Sequence, residues 1–66
     1  MNNVIFLKFN DILLSQGCCI QLHHVDFDVV VGTLVGYSDN GLEVLSFNGM
    51  VYFCEFSSIL ELEKIA

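Results

Sequence analysis

The sequence predicts a mainly β fold: a small, strongly bent five-stranded barrel over residues 18–65, preceded by a short N-terminal helix. Residues 29–37 form a long apolar run rich in β-branched side chains, which favour strands. Gly32 and Gly36 interrupt this run, and glycine inside a strand commonly marks a bend or a close backbone approach. Because strand side chains alternate with period two, we expect both glycines on one face. Shorter apolar runs, separated by turn signals such as Asn-Gly, make up the remainder of the barrel.

Residues 4–16 precede the barrel and favour a helix that ends before Gly17. An asparagine near the start is a good helix cap, and glycine is common just past a helix end. The alternative is a strand over residues 4–9 followed by a turn at Asn10-Asp11, because the first half of the segment also has strand propensity. In a helix, five of these residues would share one face: Ile5, Phe9, Ile12, Leu13 and Gln16.

The barrel strands follow in order, with short turns between them. We expect strands over residues 18–24, 29–37, 42–47, 50–56 and 59–65. In the first of these, alternation directs Cys18, Ile20 and Leu22 towards the core. Asn40-Gly41 and Asn48-Gly49 suit turns with positive φ, and the second pair indicates a two-residue hairpin.

The composition provides more apolar side chains than one small core can bury. The chain has 66 residues, which indicates a single domain over residues 1–66, and 55% of its residues are apolar whereas 15% are charged. A domain this small buries only about 60% of its unfolded surface. The longest apolar runs are too short for a membrane-spanning helix, which needs about 20 residues, so no membrane partner is predicted. Self-assembly is therefore the expected way to cover the surplus.

The net charge bears on whether the protein binds nucleic acid, and the cysteines bear on its location in the cell. The net charge is −6, and Lys8 and Lys64 are the only lysine or arginine residues. Nucleic-acid affinity depends largely on basic side chains that neutralise phosphates, so the sequence excludes a broad phosphate-binding face. A local site that works by base stacking is still compatible with this charge. Three cysteines and no secretory signal indicate reduced thiols and a cytoplasmic location.

The fourth and fifth barrel strands are the expected edges of the sheet. Apolar residues occur on both faces of the fourth strand, and unpaired edges invite pairing with another chain. A head-to-tail contact of this kind closes into a ring when the rotation permits. The predicted oligomer interface contains Met50, Val51, Tyr52, Phe53, Ile59, Leu60 and Leu62.

The glycine spacing resembles a motif of the Sm-like family, which includes Sm, Lsm and Hfq proteins. Gly32-Thr33-Leu34-Val35-Gly36 matches the glycine–x–hydrophobic–x–glycine core of the first Sm motif, and Tyr37 follows where the family often has an aromatic residue. Ser57-Ser58-Ile59 is similar to the end of the second motif. The resemblance covers nearly the whole chain and implies an SH3-like barrel with an N-terminal helix. It also implies RNA binding and a homo-oligomeric ring of roughly five to seven subunits, joined through the fourth and fifth strands.

The chain departs from the family pattern at the positions where family members bind RNA. Ser38 stands where the family usually has aspartate, and the arginine-glycine pair of the second motif falls on Glu55-Phe56, which reverses the charge. The turn after the second strand is nevertheless the predicted RNA or nucleotide site, with Tyr37 stacking on a base and the polar residues bonding to it. Its residues are Tyr37, Ser38, Asp39 and Asn40.

Neither metal binding nor catalysis is predicted. Cys19 and His23 share a face of the first strand, but residues four apart on a strand are about 13 Å apart, too far to share one ion. The eight carboxylates are scattered, and no spacing indicates a nucleophile with its base. We therefore expect a non-enzymatic, cofactor-free, ring-forming protein that binds RNA or a nucleotide at a pore-side loop. The alternative is an acidic scaffold, of a kind common in phages and mobile elements, that binds a partner protein.

Overall fold

The computed structural model describes residues 6–9 and 12–65, most of which lie in antiparallel strands. The elements are β1 (Phe6–Phe9), β2 (Ile12–Ser15), β3 (Cys19–His24), β4 (Asp28–Tyr37), β5 (Gly41–Ser46), β6 (Val51–Glu55), a 3₁₀ turn (Phe56–Ser58) and β7 (Ile59–Lys64). Five strands form one sheet in the order β6-β5-β4-β3-β7, and β1 pairs with β2. The predicted mainly β, five-stranded class is confirmed, and each predicted barrel strand begins and ends within one residue of the observed one. No helix in the described ranges has the length and hydropathy to span a membrane.

The predicted N-terminal helix over residues 4–16 is wrong, because residues 6–9 and 12–15 form a pair of antiparallel strands. β1 and β2 pair in a register that places Leu7 opposite Leu14. Alternation along β2 buries Leu14 completely and leaves Leu13 56% exposed, whereas the helix would have turned Leu13 inward. The strand alternative is confirmed for β1, while its turn at Asn10-Asp11 lies outside the described residues. A short helix depends on tertiary packing, and this core accepts side chains at the strand period.

A bulge in β4 separates the two glycines of the long strand. The ladder with β5 is regular as far as Leu34 and resumes at Gly36, so Val35 is an extra residue. Gly32 therefore lies on the core face with Leu34, and Gly36 lies on the outer face opposite the exposed Glu43. The expectation that both glycines share a face is wrong because the bulge shifts the side-chain alternation by one residue.

The core lies on one face of the five-stranded sheet, and β2 contributes to it. Cys18, Ile20 and Leu22 are buried, as their alternation predicted. The Gly17 N–H donates to the Leu34 carbonyl oxygen at 2.7 Å and so joins the end of the hairpin to the middle of β4. The side chains that are fully buried are Leu14, Ile20, Leu22, Leu34, Leu42, Val44 and Cys54.

The β5–β6 turn differs from the predicted two-residue hairpin. The Gly49 N–H donates to the Ser46 carbonyl oxygen (2.9 Å), and the Ser46 N–H donates to the Met50 carbonyl oxygen (2.8 Å), which is the pattern of a longer, bulged turn. Gly49 has a positive φ of 90°, but Asn48 does not, and a type I′ turn requires it at both positions. The Asn48 Oδ1 instead accepts the Met50 N–H at 2.9 Å, which stabilises the bulged form.

Candidate functional site

The residues predicted to bind a ligand lie together in the β4–β5 turn. Tyr37 ends β4 and is 38% exposed, and Ser38, Asp39 and Asn40 are all exposed. The Ser38 N–H donates to the Gly41 carbonyl oxygen (2.9 Å), and Ser38 Oγ accepts the Asn40 N–H (3.2 Å). The turn therefore presents an aromatic side chain beside a polar loop that is shaped by its own hydrogen bonds.

The surroundings of this turn are acidic. Asp39 lies in the turn, Glu55 of β6 lies opposite Gly41, and no lysine, arginine or histidine occurs between residues 36 and 56. The expected positive φ at Asn40-Gly41 is wrong. Gly41 is instead required by a close approach, because a Cβ there would lie 2.8 Å from the Glu55 Cα. Carboxylates repel phosphates, so the charge around this turn favours a basic partner over RNA.

The seven residues predicted for the oligomer interface divide into surface and interior positions. Ile59 is only 9% exposed and belongs to the core. Tyr52 and Leu62 are half-buried and pack against the core, and the Tyr52 ring lies 5.1 Å from the ring of Phe27. Four side chains from the edge strands and the β5–β6 turn therefore offer an exposed apolar surface. They are Met50 (57% exposed), Val51 (59%), Phe53 (43%) and Leu60 (69%).

The backbone of both edge strands is open to pairing. The sheet order gives β6 and β7 one neighbour each, as the sequence predicted. The Ile65 N–H donates to the Cys19 carbonyl oxygen of β3 at 2.8 Å. Since successive residues of an antiparallel strand point their N–H groups in opposite directions, the Lys64 N–H is directed away from β3, towards the open edge. No acceptor for this donor occurs among residues 6–9 and 12–65.

His24 has a structural role that the sequence does not predict. It is only 6% exposed, its Nδ1 accepts the N–H groups of Asp26 (3.0 Å) and Phe27 (3.3 Å), and its ring stacks on Phe27 at 4.3 Å. These bonds require an unprotonated Nδ1, and they hold the β3–β4 turn, after which Asp28, the first residue of β4, has a positive φ of 63°. The local sequence His-x-Asp-Phe-Asp does not show whether the histidine is buried in this role or exposed.

The cysteines and the exposed histidine do not gather into a metal-binding cluster. Cys18 and Cys54 are buried in the core, and Cys19 is half-buried on the outer face of β3. His23 lies on the same outer face, opposite Glu61. Across residues 6–9 and 12–65, no three side chains among histidine, cysteine, aspartate and glutamate come close enough to hold one ion.

The buried Cys54 thiol is expected to make the barrel less stable at alkaline pH. Burial raises the pKa of Cys54 from 9.0 to about 11. The unfolded chain loses this proton near pH 9 and the folded barrel keeps it to about pH 11, so the stabilisation is complete below pH 9 and decreases above it. We expect a loss of about 2 to 3 kcal/mol across this interval in urea unfolding. The free energy of unfolding of Cys54→Ala should change less between pH 9 and pH 11 than that of the unmodified chain. An equal change in both proteins would show that Cys54 does not cause the pH dependence.

Comparison of the chain with protein families, with curated proteins and with solved structures finds no match.

Proposed function

We propose that the protein is a non-enzymatic scaffold of the Sm-like kind, which assembles into a closed homo-oligomeric ring through β6 of one copy and β7 of the next. The observation that supports this proposal is the presence of two open edge strands on one sheet, with exposed apolar side chains beside each of them. Pairing them would satisfy the outward N–H and C=O groups and cover Met50, Val51, Phe53 and Leu60. Because the two surfaces differ, the contact is head-to-tail and closes only when the rotation between copies permits.

Lys64→Pro tests this assembly without removing a hydrogen bond of the barrel. The Lys64 N–H faces the open edge, so proline removes a donor to the neighbouring copy, and its ring also obstructs the approach of the neighbouring strand. Glu63 is already extended, which is the conformation that a residue before proline prefers. We expect self-association to weaken by about tenfold or more in sedimentation velocity, because one lost contact of about 1.4 kcal/mol has that effect.

Lys64→Ala is the matched control, because it removes the same charge but keeps the N–H group. This variant should assemble like the unmodified chain. Equal weakening in both variants would show that the lysine side chain acts instead of the backbone. A wild-type protein that stays monomeric at every concentration would remove the ring proposal altogether.

A second candidate function is RNA or nucleotide binding at the turn of Tyr37, Ser38, Asp39 and Asn40. The observation in its favour is a partly exposed aromatic ring beside polar groups, an arrangement that suits base stacking. Asp39 and Glu55 oppose it electrostatically. Titration with short uridine-rich and adenine-rich RNA at two salt concentrations separates the two functions. RNA affinity decreases with salt, whereas association between chains of net charge −6 increases with it.

A further inference from the structure

A continuous row of apolar and small side chains crosses the outer face of the sheet. The ladders place Cys19 opposite Thr33, Thr33 opposite Leu45, and Leu45 opposite Val51. The Ile65 N–H bond to the Cys19 carbonyl oxygen extends this line to the end of β7. With neighbouring strands about 4.8 Å apart, the row is about 19 Å long. We call these five residues the outer row.

The outer row lies outside the core, and Val51 is the one member that it shares with the edge contact proposed above. Its members alternate with the core residues of the same strands, such as Ile20, Leu34 and Val44, and therefore face away from the core. Ile65 is 52% exposed, Leu45 39% and Val51 59%. Single exposed apolar residues are ordinary, whereas a continuous group marks a contact surface. Pairing at the β6 and β7 edges would leave the middle of this row open.

Carboxylates border the outer row on both sides. Glu61 and Glu63 lie on the outer face of β7 opposite His23 and Gln21 of β3, and they line a groove of about 370 Å³. On the other side, Glu43 of β5 lies opposite Phe53 of β6. The surface therefore has an apolar centre and an acidic rim.

We propose that the outer row binds an amphipathic helix of a partner protein, with an apolar face and flanking lysine or arginine residues. A helix of about 13 residues has the length of the row. Charge complementarity selects this occupant. A second copy in a face-to-face contact would bring two acidic rims, each with Glu43, Glu61 and Glu63, to the same interface. Anionic membranes and RNA would also be repelled by this rim.

Binding of a synthetic amphipathic peptide to the full chain tests this proposal. The probe is a labelled peptide of about 14 residues with a leucine face and lysine flanks, compared with the same peptide carrying glutamate flanks. We expect fluorescence anisotropy to show binding of the lysine-flanked form only. Leu45→Lys should weaken it by about tenfold or more, because a charge would enter the apolar centre.

Leu13→Lys is the control for the change in net charge, since Leu13 is also exposed, at 56%, but lies on β2. It should change the affinity by less than about twofold. Ile65→Lys, at the 52% exposed end of the row outside the proposed edge contact, repeats the test at a site where a folding defect is not expected. Lys64→Pro should bind the peptide normally, which separates this proposal from ring assembly.

Three results would overturn the proposal. One is equal affinity for the two peptides, and another is equal weakening by Leu45→Lys and Leu13→Lys, which would indicate unspecific attraction to an acidic protein. The third is the absence of peptide binding together with a dimer that Leu45→Lys abolishes. That result would show that a second copy covers the outer row.

Discussion

Replacing Gly32 by alanine is expected to lower the free energy of unfolding by about 3 kcal/mol, because the new methyl group has no space. A Cβ at this position would overlap the Leu45 carbonyl oxygen and would lie 2.8 Å from the Ser46 Cα. Both are backbone atoms of β5, which is paired on both sides and cannot move without breaking its ladders. A domain of this size has a total stability of roughly 3 to 10 kcal/mol, so the variant loses a large part of it.

Gly36→Ala is the matched control on the same strand. A Cβ there would meet only the end of the exposed and flexible Glu43 side chain, with the Glu43 Oε1 at 2.7 Å. Both substitutions reduce the conformational freedom of the unfolded chain equally. The difference between their free energies of unfolding in urea therefore measures the steric contact that the new methyl group makes in the folded state. We expect Gly36→Ala to change stability by less than about 1 kcal/mol. Equal losses in the two variants would contradict the observed register of β4 and β5.

Leu14→Ala is expected to cost about 2 to 5 kcal/mol, the usual range for a leucine truncated in a closed core. Leu14 is fully buried and brings β2 into the core of the five-stranded sheet. A loss of this size would detach the N-terminal hairpin or unfold the whole domain. Thermal unfolding followed by circular dichroism measures the change, and loss of the cooperative transition would be the most severe form of it.

Leu13→Ala provides the comparison, because the two leucines are adjacent and chemically identical. Leu13 is 56% exposed, so its truncation should cost less than about 0.5 kcal/mol. The helix predicted for residues 4–16 makes the opposite prediction, since it places Leu13 on the buried face. If Leu13→Ala lowered the stability more than Leu14→Ala, the result would support the helix and contradict the pairing of β1 with β2.

The five barrel strands were predictable because their signals are local. The β-branched residues of 29–37 and the turn signals around positions 40 and 48 mark strand ends without reference to any distant residue. The core side of β3 followed from simple alternation, and Cys18, Ile20 and Leu22 are indeed buried. The two edges of the sheet also follow once five strands with short connections are arranged as a small barrel.

The N-terminal segment was not predictable by the same reasoning. Its residues fit a helical face and a strand almost equally well, and a cap at the start with Gly17 at the end supported the helix. What selects the strand is the contact of Leu14 with a core built mostly from residues 18–59, together with the bond from Gly17 to Leu34. No window of sequence contains both partners of these contacts.

Local pattern is therefore sufficient for the mainly β class, the barrel strands and the position of the β4–β5 turn. Contacts between distant residues were needed for the bulge at Val35, which turns Gly36 outward. The outer row likewise consists of residues from four strands, and of the residue that follows β7, that become neighbours only when the ladders form. The register between two strands depends on where the neighbouring strand ends and on where an extra residue is inserted. Neither can be read from the alternation of side chains within a single strand.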